Sequence, residues 1–552
     1  MTNYQFTGGT ICAPATIPGT GAISIIRVSG NEALAIADKV IDTKGVPIAE
    51  TEGYRLRYGT VFEADGSVLD NVIVSVFRAP HSYTGENSVE ISCHASRFIV
   101  NKILELLVNA GARIAAPGEF TRRAFVNGKM DLAQAEAVAD VIASQSAASH
   151  RVAMNQLKGG FSSELKVLRE KLLTMTSLLE LELDFSEEDV EFASRKELGQ
   201  LVDDSLTHIR RLTASFSRGN AIKNGVPVAI VGATNTGKST LLNALLGEER
   251  AIVSDIAGTT RDTIEETLNI DGILFRFIDT AGIRETDETI EKIGIDRTFK
   301  KLGEAAVVLG MTDLSRGEAA VLEDADFILS KVNEMGGVKN VAAENDGAKT
   351  GGTPLAGTGV AHPAETGGAS LAETDGASQH GRDAGQERKV VILVNKCDVA
   401  GDFYRDDNGT GYGSGNDLGK NMAEMGDNKN VNHDNNIVSL IENKYDNCKV
   451  IPISAKTGKG LSTLTKTLGE IGSEITGSTD ETLVTNVRHY EALVRAASAL
   501  ERVRAGLHIA TLPPDLIAQD LREALYHLGE IVGEITTDET LGNIFRNFCI
   551  GK

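Results

Sequence analysis

Gly232-Ala233-Thr234-Asn235-Thr236-Gly237-Lys238-Ser239 is the stretch that decides the reading of this chain. An apolar run, 226–231, leads into it, and Thr240-Leu241-Leu242-Asn243-Ala244-Leu245-Leu246 follows with helical character. Strand, glycine-rich loop and helix is the setting a phosphate-binding loop requires. Gly237 lets the backbone pass close to a phosphate, with neighbouring N–H groups turned inward. The helix N-terminus adds partial positive charge. Lys238 is placed to reach the β- and γ-phosphates, and the Ser239 hydroxyl to ligate Mg²⁺. A chance glycine-rich turn is the bland alternative. It loses because three further motifs follow in the right order.

The first is Ser254-Asp255-Ile256-Ala257-Gly258-Thr259-Thr260, in which Thr260 stands where a switch threonine closes over Mg²⁺ and the γ-phosphate. The second is the strand-like run 274–278 ending in Asp279-Thr280-Ala281-Gly282. An acid there can hold Mg²⁺ through water, and the glycine N–H can meet the γ-phosphate. The third is a buried strand, 390–394, feeding Asn395-Lys396-Cys397-Asp398. Asp398 can accept from N1–H and the 2-amino group of guanine, a donor pair adenine lacks. A loop at Ser454-Ala455-Lys456 then follows the run 450–453 and can contact the base. Together these predict a GTP-binding α/β domain of the Ras-like P-loop kind. Ile283 follows Asp-x-x-Gly where Ras-like GTPases place a water-orienting Gln, so help for hydrolysis must come from elsewhere.

The chain has 552 residues, enough for three or four domains, with 41% apolar residues. Its net charge of −22 excludes a chain that is basic overall and holds nucleic acid by bulk charge. The excess is uneven, since residues 1–128 carry 11 Lys and Arg against 12 Asp and Glu. Five scattered cysteines without a CxxC pair suggest neither a disulfide framework nor a zinc knuckle. A reducing compartment, no signal stretch and no run of 18 apolar residues point to a soluble cytoplasmic protein with no membrane partner.

Residues 1–128 read as an α+β domain. Strands are expected over 21–28, 58–62, 68–77 and 89–92, a hairpin turn at Asp65-Gly66, and a helix over 96–110 closed by Gly111. Arg27 and Glu90 fit either ligand contacts or an ion pair on the sheet, and pattern alone favours the pair. Residues 129–222 and 477–552 read as helices. Leu132, Ala135, Val138 and Ile142 share one face. Phe161, Leu165, Leu168, Leu172, Met175 and Leu179 form a seam, as do Ile517, Leu521, Ala524, Leu528, Ile531 and Ile535. A further helix is expected around Tyr490, Leu493, Ala497 and Leu500. Neither stretch completes a core alone, so the reading is one helical domain with the G domain, 223–476, inserted between its parts. Two polar stretches, 336–387 and 401–436, lack the apolar surface to offset ordering entropy and are expected to be mobile insertions. The first holds an eight-residue echo beginning at Ala364 and again at Ala372.

Four segments together resemble the MnmE (TrmE) family of tRNA-modification GTPases: GAISIIRVSG at 21–30, PGEFTRRAFVNGKMDLAQAE at 117–136, GTTRD at 258–262 and FCIGK at 548–552. The G motifs alone fit Era- or Der-like GTPases equally, and the flanking segments break the tie. The resemblance implies a cytoplasmic homodimer formed through an N-terminal domain like a tetrahydrofolate-binding fold. There Arg27, Glu90, Lys129 and Lys552 would hold a one-carbon tetrahydrofolate, which reverses the bland reading of Arg27 and Glu90. It implies an FAD-carrying MnmG-type partner, in a heterotetramer or larger complex. Their joint product is an aminomethyl or carboxymethylaminomethyl group on C5 of the wobble uridine of certain tRNAs. It also implies K⁺ in place of an arginine finger, held by Asn235 with Ser254, Ile256 and Thr259. Glu291 would orient the attacking water through a second water, and Cys549 would take part in the modification. Three departures stand out. Cys93-His94-Ala95 replaces Gly-His-Gly and is expected to narrow the folate pocket. Gly310 replaces a bulkier residue, a local weakness. The two insertions are unusual. The rival readings are a GTP-dependent RNA-binding switch in ribosome assembly and a folate enzyme with a vestigial G domain. The absence of a basic module opposes the first, and the intact Lys238, Ser239, Asp279 and Asp398 oppose the second.

Overall fold

The computed structural model describes residues 8–184, 195–249, 266–278, 305–334, 388–399, 437–445, 448–477, 481–509, 513–546, 548 and 551. The chain divides into two compact units, Met1–Lys223 with Ser478–Lys552, and Asn224–Gly477. The fold is multidomain: an α+β block and a helical block share the first unit, and the second is α/β.

The α+β block is a seven-stranded sheet of order β3-β4-β5-β6-β2-β1-β7. Its strands are β1 (Ile11–Pro14), β2 (Ile23–Ser29), β3 (Ile41–Asp42), β4 (Arg55–Phe62), β5 (Val68–Phe77), β6 (Ser88–His94) and β7 (Arg113–Ile114). All pairings are antiparallel except β1 with β7. Period-two alternation turns Ile26, Val28, Val72, Val74, Val76, Val89 and Ile91 toward the helices Ala33–Val40 and Arg97–Asn109, where they form one core. Strand neighbours of opposite parity face outward, and Leu56, Tyr58, Ile73 and Ile23 are 48–68% exposed there. Cys93 belongs to the helix-covered core, on the face opposite Glu90, so it does not narrow a pocket at Glu90 as its sequence position suggests.

In the helical block, helix Gly160–Asp184 buries Phe161, Leu165, Leu168, Leu172 and Leu179 against helices Arg195–Ala214, Val487–Leu507 and Pro514–Val532. Both parts of the sequence contribute to this one core, as neither stretch suffices alone. Two expectations fail at the edges. Ile142 is 48% exposed, outside the face it shares by spacing with Leu132 and Ala135. The seam through Ile531 stops before Ile535, because Gly533 takes a left-handed φ of 87° and ends the helix at Val532.

The inserted unit is a six-stranded sheet of order β13-β12-β11-β8-β10-β9. It comprises β8 (Val226–Gly232), β9 (Glu266–Ile270), β10 (Ile273–Ile278), β11 (Val307–Asp313), β12 (Lys389–Asn395) and β13 (Cys448–Pro452). Only β9 runs antiparallel to its neighbour. Gly310 is not a weakness in this sheet. A Cβ there would lie 2.7 Å from Ile392 Cδ1 and 3.1 Å from Ile328 Cγ2, so those two side chains already fill the space.

Candidate functional site

Parallel strands bring their C-terminal ends to one edge of the inserted sheet, where open α/β folds bind ligands. β8 ends in the loop before helix Lys238–Glu249, the three central β-ladders run in register, and β12 ends at Asn395. The loop is tightly determined. Gly237 has φ 101°, and a Cβ on it would sit 2.4 Å from Asn395 Nδ2. Only glycine lets the two motifs approach this closely. Asn235 has φ 62°, a left-handed value that Asn tolerates, and its side chain is exposed. Thr236 is buried and its hydroxyl donates to the Ala233 carbonyl at 2.9 Å. Lys238 Nζ donates to the carbonyls of Gly232 and Ala233 at 2.9 and 2.7 Å. Burial pushes its ammonium pKa down. Ser239 and Thr240 occupy the first turn of the helix, Thr240 exposed.

Asn395 joins the glycine-bent loop to the loop after β13. Its Nδ2 donates to Thr236 O at 2.6 Å, and its Oδ1 accepts from Ala455 N–H at 3.0 Å. Lys396, at φ 64°, sends its ammonium to Asp313 Oδ2 at 2.6 Å. Burial opposes the Asp313 charge, but hydrogen bonds from Lys396 and Ser315 outweigh it and hold the carboxyl below its ordinary value. Asp313 is a residue the motif reading missed. Its only sequence signal is its place at the end of a fully buried strand. Cys397 is buried, its N–H bonded to Ile453 O at 3.2 Å, and burial raises its thiol to about 11, which makes it a packing residue. Asp398 is half-buried. Ser454 is buried, with its hydroxyl accepting from Thr457 N–H, and Lys456 is exposed beside it.

A second constellation lies on the N-terminal sheet. Arg27 and Glu90 are directly opposed in the β2–β6 register. The guanidinium donates twice to Glu90 Oε1, at 3.0 and 2.8 Å. It also lies 5.0 Å from the Tyr83 ring centroid and 5.7 Å from that of Phe120. Its third nitrogen meets Gly551 O at 3.5 Å, a contact spanning 524 residues. Gly551 rests against the Pro14 carbonyl. Lys129 Nζ donates to Pro80 O at 3.0 Å, on the same loop as Tyr83. Thus Arg27 and Glu90 form an ion pair as the pattern alone suggests, and one wall of that pair is aromatic. Tyr83 lies in no quoted motif, whereas Phe120 and Gly551 fall in the segments 117–136 and 548–552 without a role assigned to them there.

Ser254, Asp255, Ile256, Ala257, Gly258, Thr259, Thr260, Asp279, Thr280, Ala281, Gly282, Glu291, Cys549, Lys552 and both insertions lie outside the described residues. Among the described residues no helix is long and apolar enough to cross a membrane.

A glycine-bent loop at a helix start, bound through one asparagine to a second loop at the same sheet edge, has the form of a P-loop nucleotide-binding domain, here inserted in a helical one. Two family descriptions match: "MnmE helical domain" over residues 132–549 and "GTP-binding protein TrmE N-terminus" over residues 10–129. A protein of Parabacteroides distasonis named tRNA modification GTPase MnmE is 45% identical over 546 residues, covering 98% of this chain and 100% of that relative. Proteins of the same name from Bacteroides thetaiotaomicron and Porphyromonas gingivalis are 44% and 42% identical, covering 98% and 100% of this chain and 99% of each relative. The chain belongs to the MnmE (TrmE) family of tRNA modification GTPases.

Proposed function

We propose that this chain hydrolyses GTP in a K⁺-stimulated cycle and, with an FAD-carrying MnmG-type partner, modifies C5 of the wobble uridine of certain tRNAs. The observation that carries the GTP half is the Asn395 bridge, which makes the phosphate loop and the base loop one rigid receptor. In that receptor the loop N–H groups and Lys238 take the phosphates, and Asp398 selects guanine. Ser239 and Thr260 would hold Mg²⁺, and Asn235, Ser254, Ile256 and Thr259 would hold K⁺. Such cations supply positive charge where the transition state gathers negative charge, a contribution an arginine finger makes at roughly 10³–10⁵ in rate. The Gly237 cradle, closed to any Cβ, fits a group that needs close backbone approach. Glu291 would orient the attacking water.

The Arg27–Glu90 pair with its Tyr83 wall, together with Lys129 and Lys552, would hold a one-carbon tetrahydrofolate. A flat pterin suits an aromatic side, and its polar edge suits a carboxylate and guanidinium. Cys549 is assigned to the modification chemistry. The open face carrying Leu56, Tyr58 and Ile73 supports a homodimer through the N-terminal sheet, because contiguous exposed apolar residues mark association surfaces. Mass spectrometry of tRNA nucleosides from cells with and without the gene tests this. The C5-substituted wobble uridine should disappear on deletion and return on complementation. Unchanged nucleosides would overturn the modification half. Equal GTP turnover in Na⁺ and K⁺ would overturn the potassium assignment.

A further inference from the structure

The residues that flank the inserted domain are fastened to the helical block by polar contacts that the GTPase and folate sites do not use. On the outgoing side, Lys223 Nζ pairs with Asp140 at 2.8 Å. On the returning side, Val484 N–H donates to Ser215 Oγ at 3.1 Å. Gln156 Nε2 donates to Leu483 O and Thr485 Oγ1, both at 3.1 Å. Asn486 then caps helix Val487–Leu507 by accepting from Arg488 N–H.

The next two residues meet Glu136. Arg488 grips it as a two-pronged fork, Nε to Oε1 at 3.0 Å and Nη2 to Oε2 at 3.1 Å. Its remaining nitrogen donates to Glu530 O at 2.6 Å, so the guanidinium also ties down the end of helix Pro514–Val532. His489 Nε2 lies 2.6 Å from Glu136 Oε2, with its ring stacked on Phe161 at 5.4 Å. Among the described residues its Nδ1 has no hydrogen-bond partner, and its Nε2 also lies 3.0 Å from Arg488 Nη2. A buried charge cluster of this kind is poor evidence for stability, because well-packed apolar residues do as well. Its fixed directionality is what apolar residues would not supply.

Glu136 and Asp140 lie one turn apart on helix Leu132–Ala143. The adjoining stripe of that helix, Leu132, Ala135 and Ala139, packs with Leu541, Phe545 and Phe548. Phe548 is three residues from Gly551, whose carbonyl meets Arg27. One short helix therefore holds the stems of the inserted domain on one stripe and the C-terminal residues beside Arg27 on the next.

We propose that Glu136 is a positioning residue that passes the placement of the inserted domain's stems, through helix Leu132–Ala143, to the C-terminal residues at the Arg27 site. The inference rests on reading the inserted domain as a GTP switch. Amide exchange on the full-length protein, with GDP or a non-hydrolysable GTP analogue, tests it. In the wild type, exchange should differ between the two nucleotides both in helix Lys238–Glu249 and across residues 541–551. In Glu136→Gln the helix difference should persist while the C-terminal difference falls at least five-fold. A role confined to stability would leave the nucleotide dependence in place. A C-terminal difference of wild-type size in the variant overturns the proposal, as does its absence in the wild type. Loss of nucleotide-dependent protection at Lys238–Glu249 in the wild type would instead overturn the GTP reading, and this inference with it. Should Glu136→Gln fail to fold, Arg488→Lys, which keeps the charge but loses the fork, carries the same test.

Discussion

In the inserted sheet β11 is buried along its whole length, as is β12 after its first residue, whereas in the N-terminal sheet β5 buries alternate residues and β4 leaves Leu56 and Tyr58 outward. The first arrangement has both faces covered, so a ligand can reach it only at the strand ends. The second leaves one face open to solvent. The difference explains why one site is written as short contiguous strings and the other is assembled from remote residues.

Lys238→Ala should break the first site and spare the second. Removing one charged donor aimed at the transition state lowers turnover about 10²–10³-fold, read by GTP hydrolysis. Affinity for a reduced folate, read by calorimetry, should stay within two-fold. A parallel loss of folate binding would show that the two regions are not separable. Leu56→Asp with Tyr58→Asp tests the open face. Sedimentation should show dimer weakening of about 10²-fold or more, since each side chain contributes roughly 1.5–3 kcal/mol when covered. Unchanged dimers would move the association surface elsewhere.

Acid should loosen the helical host at Glu136. Burial opposes the charge of Glu136, but His489 and Arg488 outweigh it and hold the carboxyl at about 2, well below the ordinary carboxylate range. Burial, with the Arg488 charge behind it, pushes His489 down against the pull of Glu136. A depressed carboxyl stabilises the fold fully above its unfolded value. That stability, on the order of 3 kcal/mol, drains as pH falls from about 4.5 towards 2. Thermal melts of Glu136→Gln should show a flatter dependence across that window. A slope equal to wild type would contradict the assignment. At the small end, Gly310→Ala should destabilise the inserted sheet by about 1–3 kcal/mol through crowding at Ile392, measured by urea unfolding. Ile73→Ala on the open face should change monomer stability by no more than about 0.5 kcal/mol.

Part of this architecture is legible in the sequence. The strand–loop–helix at Gly232–Ser239 is legible because phosphate chemistry needs consecutive backbone N–H groups, which only contiguous residues supply. Asn395-Lys396-Cys397-Asp398 is legible because a carboxylate just past a buried strand's end can select guanine, but its tie to Thr236 crosses 159 residues and leaves no local mark. Arg27 and Glu90 could be paired by period and strand, while Tyr83, Phe120 and Gly551 reach them only through tertiary folding. Gly533 ended the helix before Ile535 because a left-handed cap overrides an apolar repeat that continues past it. Gly310 was misread because crowding from Ile328 and Ile392 depends on how a helix and a neighbouring strand pack, which residue type alone does not state.

Helix Gly160–Asp184 has a cost in time. Its partners in Pro514–Val532 include Arg522, which pairs with Glu180 from 342 residues away. At ribosomal speeds of about 5–20 residues per second, roughly 20–70 s separate the two during synthesis. Throughout that interval Leu165, Leu168 and Leu172 have no finished core to enter. The nascent chain must carry a greasy ridge past the completed N-terminal sheet while the GTP domain is still emerging. The two halves of one core are thus separated in time by the synthesis of the domain inserted between them.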